Sequence, residues 1–88
     1  MARVKIDEET LENVNRQINS HTDLVLNKKG YNSFSSIHEI LGVLAEEYRE
    51  VEESIHLNNQ DLLKLELLDV ATTCIFAIAS IDQNALDW

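Results

Sequence analysis

Two pairs of acidic residues stand out by type and spacing: Glu47-x-x-Glu50 and Glu66-x-x-Asp69. Residues three apart on a helix share a face, so each pair presents two carboxylates to one point. The second pair lies in a run that is apolar on every side, from Leu62 through Leu63, Leu65, Leu67, Leu68, Val70 and Ala71 to Ile78. An uncompensated carboxylate in such surroundings costs several kcal/mol, even after relaxation. Lys64, two positions from Glu66, points elsewhere and is a poor counter-ion. Four converging carboxylates repel, and some must take up protons unless a cation joins them. All-oxygen ligation with no cysteine or paired histidine favours Mg²⁺, with Mn²⁺ as the alternative, over Zn²⁺.

The elements around them decide whether the pairs meet. Glu47 lies about 60° from Leu44 on a helical wheel, flanking the apolar stripe, whereas Glu53 lies about 180° away and faces water. If the two segments form an antiparallel hairpin turning at Asn58, the levels match. Glu47 and Asp69 stand eleven residues either side of Asn58, and Glu50 and Glu66 stand eight either side. Both pairs then sit roughly 12–16 Å from the turn. The same spacings occur on solvated acidic helices; the apolar context of Glu66 and Asp69 and the matched levels set these apart.

Three amphipathic segments supply those elements. The first starts after Asp7, a suitable N-cap followed by Glu8 and Glu9, carries Leu11, Val14, Ile18, His21 and Val25 on one stripe, and stops at Lys28-Lys29-Gly30. His21 reads as a core or interface histidine. The second follows the serine-rich stretch 32–36, where Ser36 and Glu39 form a capping box, and runs through Ile37, Ile40, Leu41, Leu44, Tyr48, Val51 and Ile55. Gly42 inside it costs about 1 kcal/mol relative to alanine, which a close helix approach across a subunit interface would justify. Residues 56–60 form the connector, with Asn58 and Asn59 favouring a turn or cap. The third segment, about 61–81, has no polar face and demands cover on all sides, which two other helices cannot give. The expectation is therefore one all-α domain over 1–88, a helical hairpin plus an N-terminal helix, in a homo-oligomeric bundle.

Composition agrees. The 88 residues include no proline and two glycines, which suits helices, and a chain this short buries only part of its apolar surface alone. Sixteen acids against seven bases give −9, which argues against binding a nucleic-acid backbone. The greasiest stretch, 70–81, is too short for a membrane span, and the N-terminus has no apolar run resembling a signal peptide. One cysteine, Cys74, fits a reducing, cytoplasmic setting and reads as a structural residue of the apolar helix rather than a nucleophile. Glu53-x-x-His56 is a single copy of a motif that di-iron bundles use twice.

The order Glu47-x-x-Glu50, spacer, Glu66-x-x-Asp69, within LAEEYREVEESI and LELLDVATTCIFAI, resembles the MazG-like all-α nucleoside triphosphate pyrophosphohydrolases over residues 37–81, about half the chain. The resemblance implies that the four acids hold Mg²⁺. It further implies cleavage of a (deoxy)nucleoside triphosphate between its α and β phosphates, in dimers or tetramers of short helical subunits. Glu46, Glu47 and Glu50 are then the candidates for orienting or deprotonating water. Some members use basic or asparagine residues beyond the second acidic helix to contact phosphate or sugar. Here that role falls to the partner subunit or to Lys28, Lys29 and Asn32, or else activity is reduced. Lys28 and Lys29 also serve as helix-terminal charges, while Tyr31, Phe34 and Trp88 are candidates for stacking on a base or for packing. The alternative is a non-catalytic helical oligomerisation module that keeps the fold.

Overall fold

The computed structural model describes residues 2–87, which form three helices, with no strand among them: α1 (Glu8–Lys29), α2 (Ile37–His56) and α3 (Gln60–Asp82). Each begins at a side chain that accepts a bond from an otherwise orphaned helical N–H. Asp7 accepts from Thr10, Ser36 from Glu39 and Asn59 from Leu62, at 2.8, 3.2 and 3.0 Å. The box at Ser36 is displaced by one residue, because the Glu39 carboxylate accepts from the N–H of Ser35. Asp7 also shows how a cap affects titration: the hydrogen bonds from Thr10 hold its carboxyl below the usual range. Gly30 closes α1 at φ 95°, a conformation that favours glycine, with its N–H donating to the carbonyl of Leu26.

Between α2 and α3 only Leu57–Asn59 remain, and Asn58 turns the chain at φ 53°. Asn tolerates this left-handed conformation better than most residues, so the connector closes in three residues. The hairpin brings the start of α2 beside the end of α3. There the Ser80 hydroxyl accepts from the Phe34 N–H at 3.2 Å and donates to the Phe76 carbonyl, and the Asp87 N–H donates to the Ser35 carbonyl at 2.8 Å.

Helix α1 packs on α3 and, among the described residues, not on α2. Its register runs parallel to α3: Gln17 and Ile18 lie beside Leu68 and Ala71, Thr22 bonds to Thr72, and Val25 and Leu26 lie beside Thr73 and Phe76. Helix α3 is therefore central, as its lack of a polar face requires, but it is covered on two sides only. Leu65, Leu67, Ile75, Ile78 and Ile81 remain exposed, and Ala77 is the one buried apolar residue among those described. Cys74 is exposed as well, on a side of the apolar helix that neither α1 nor α2 covers. The α1 stripe is similarly half used: Ile18 and Val25 are partly covered, while Leu11 and Val14 face solvent. At Gly42 an added Cβ meets nothing within 4 Å, so no close approach inside the subunit accounts for that glycine. No helix of the described residues is long and apolar enough to cross a membrane.

Candidate metal centre

Helices α2 and α3 each turn one acidic pair toward the other. The short connector leaves the two pairs level, and one ligand oxygen from each of Glu47, Glu50, Glu66 and Asp69 lies within 4.8 Å of the others. Glu47, Glu66 and Asp69 are half-buried and Glu50 is exposed. The Oε2 atoms of Glu47 and Glu66 are buried and have no hydrogen-bond partner among the described residues. Buried polar atoms are ordinarily satisfied, so two orphaned carboxylate oxygens at one point call for a cationic or proton-bearing occupant.

The electrostatics follow from this crowding. Burial, then contact with the Glu50 carboxylate and the charges of Asp69 and Glu47, pushes the Glu66 carboxyl up to about 7. Burial also raises Glu47, aided by Asp69 and Glu50 and opposed by the nearby Lys29 ammonium. A divalent cation offsets all these repulsions together. The donor set is oxygen alone and has an open, solvent-facing side at Glu50, which suits Mg²⁺ or Mn²⁺.

One neighbour was not apparent as such in the sequence. His21, from α1, donates from Nε2 to Oδ1 of Asp69 at 2.6 Å. Rather than a plain core or interface histidine, it is a direct partner of the acidic cluster. One residue on, the buried Thr22 and Thr72 hydroxyls bond at 3.0 Å and tie α1 to α3 at the same level. The available signal was His21 itself: a hydrogen-bonding side chain on an apolar stripe needs a polar partner, and the apolar helix held two candidates.

Beside the cluster, α1 and α2 diverge above α3 and leave a cleft of about 260 Å³. Glu47 is common to the cluster and the cleft. Lys29, Asn32, Thr73 and the aromatic pair Phe34 and Phe76 also line it. The two rings meet edge to face, with centroids 5.5 Å apart at 64°. Lys29 and Asn32 thus lie with Glu47, whereas Lys28 is exposed in the last turn of α1 and does not line the cleft. Glu46 is exposed and outside the four-acid group. Tyr31 is exposed, its hydroxyl donating to Asn27 Oδ1, and Trp88 lies outside the described residues.

No protein-family model, no curated protein and no solved structure matches the chain.

Proposed function

We propose that this protein is a Mg²⁺-dependent nucleoside triphosphate pyrophosphohydrolase of the MazG-like type, acting as a cytoplasmic homodimer or homotetramer. The observation that supports it best is the convergence of Glu47, Glu50, Glu66 and Asp69, with two buried oxygens left without partners. Those four residues would hold the metal. Bound there, Mg²⁺ supplies a clamp for phosphate oxygens, offsets developing charge and lowers the pKa of a water molecule. It also makes a polyanionic substrate acceptable to a chain of net charge −9.

The chain's own groups divide the remaining work. Lys29, near Glu47 at the cleft edge, offers its ammonium to phosphate, and Asn32 offers an amide to sugar or base. The Phe34 and Phe76 rings give the cleft an apolar wall against which a base can lie. Water attacks the α-phosphorus, the bond to the α–β bridging oxygen breaks, and pyrophosphate leaves from the nucleoside monophosphate. The proton lost by water passes to a carboxylate, for which Glu47 and Glu50 are placed in the cluster and Glu46 is not. The exposed apolar residues of α3 support the oligomer, since they remain uncovered in a single subunit.

Pyrophosphate release, measured with Mg²⁺ across the eight common ribo- and deoxyribonucleoside triphosphates, tests the reading. Turnover of at least one, abolished by Glu66→Gln, is expected. A folded oligomer that turns over none of them sinks the enzyme and leaves the non-catalytic helical module.

A further inference from the structure

We propose that His21 is a positioning residue for Asp69, fixing it as a ligand that offers one oxygen, and so tunes the affinity and selectivity of the metal centre. This rests on reading the four-acid cluster as a metal site. The imidazole comes from a helix that contributes none of the four carboxylates, yet its Nε2 reaches Asp69 Oδ1 at 2.6 Å, a short charge-assisted bond. The histidine is well covered, at 15% side-chain exposure, so water competes poorly for that bond. Thr22 and Thr72, buried and bonded at 3.0 Å, fix the rotation of α1 against α3 one residue away, so the ring is held in place before any ion arrives. With Oδ1 engaged by the imidazole, the Asp69 carboxylate is held against rotation while one of its oxygens lies with the cluster.

Two consequences follow from ligand chemistry. Partners that orient metal-ligating carboxylates and histidines typically contribute about 10–100-fold to affinity. A carboxylate restrained to one oxygen suits the six-coordinate geometry of Mg²⁺ and Mn²⁺, whereas Ca²⁺ gains from carboxylates free to ligate through both oxygens. His21 therefore raises Mn²⁺ affinity and biases the site against Ca²⁺.

The test titrates Mn²⁺ into the full chain at fixed pH, following free Mn²⁺ by electron paramagnetic resonance, with Ca²⁺ as competitor. His21→Phe keeps a ring but loses the N–H, and it should weaken Mn²⁺ binding by about 10–100-fold and narrow the preference over Ca²⁺. His21→Gln, which retains a donor near the Nε2 position, should restore most of both. Thr22→Val, which loosens the same helix contact but keeps the Nε2 donor, should weaken Mn²⁺ binding far less than His21→Phe does. In unmutated protein, adding Mg²⁺ should shift the His21 Nε2 resonance in ¹⁵N spectra, a reading that holds even if a variant does not fold. If the unmutated chain binds no Mn²⁺, the metal reading itself fails and this inference with it. If it binds Mn²⁺ but His21→Phe binds equally well, or Thr22→Val weakens binding as much, only the role of His21 is overturned. An Nε2 resonance indifferent to Mg²⁺ has the same effect.

Discussion

Glu66 is where burial, repulsion and the proposed ligation meet in one side chain. Its folded-state pKa of about 7 stands above the ordinary 4.5, so the native chain holds the proton more tightly than the unfolded chain does. The Glu66 contribution to stability is fully present below about pH 4.5 and is lost as pH rises through 7. Thermal melts in chelator should accordingly show this contribution declining across that window, and saturating Mg²⁺ should reduce the decline. Glu66→Gln should remove the same decline and stop Mg²⁺ from raising the melting temperature; a variant that simply unfolds would tell against a dedicated metal site. The hydroxyl pair gives a second, metal-independent expectation. Thr22→Val leaves the buried Thr72 hydroxyl without its partner and should cost about 1–3 kcal/mol in denaturant unfolding, with the double Thr22→Val, Thr72→Val change costing less than two single changes. The cluster acids were legible because three-residue spacing and an apolar context are local facts. The bond from His21 was not, because it depends on how the seven residues 30–36 lead α1 onto α3, and no short-range rule sets that path.

At the level of elements, caps and connectors did most of the specifying. Asp7, Ser36, Asn58, Asn59 and Gly30 were readable as punctuation, since each side chain or conformation answers a known need of a helix end. Asn59→Ala should therefore lower stability by about 1 kcal/mol, measured by denaturant unfolding, because the Leu62 N–H loses its acceptor. Gly42 tests the opposite case. Its added methyl group meets open space, so Gly42→Ala should raise subunit stability by about 0.5–1 kcal/mol. A loss of association in sedimentation would instead place a partner helix against that position. What the sequence did not disclose was how completely each apolar face would be used. Periodicity assigns Leu11 and Val14 to the α1 stripe, but whether anything lies opposite depends on where α3 begins and on its parallel register.

For the molecule as a whole, the accessible surface is 7181 Å², whereas a compact monomer of this mass exposes about 5,300 Å². The non-helical segment 2–7 accounts for part of the excess, and Val4 and Ile6 in it are largely bare. The remainder includes the groove of Leu41, Leu44, Ala45, Tyr48, Val51, Leu67 and Val70 across α2 and α3. Under the proposed homo-oligomer, sedimentation at micromolar concentration should give a dimer or tetramer, and Leu67→Glu, placing a charge at a half-exposed site in that groove, should shift it to smaller species. A monodisperse monomer at high concentration would contradict the assembly. The need for cover was visible in a helix with no polar face; which flank stays open became visible only once α1 and α2 took their places.

The same uniformity of α3 has a bearing on which changes of chain length the protein can survive. One residue inserted at Leu57–Asn59 and absorbed into α3, the connector keeping its three residues, would turn the rest of α3 by about 100° and slide it by about 1.5 Å. Because leucine, isoleucine or valine then replaces similar residues at the contact, apolar packing alone distinguishes the two rotations poorly. The polar marks distinguish them: Thr72 would leave Thr22, Ser80 would leave Phe34, and Asp69 would leave His21. Length variation at this connector is thus expected to leave helical chains that have lost the cluster, whereas comparable variation at residues 31–33 should leave the facing acids in step. The connector acts as a ruler for the site, and the hydrophobic interior does not check its measurement.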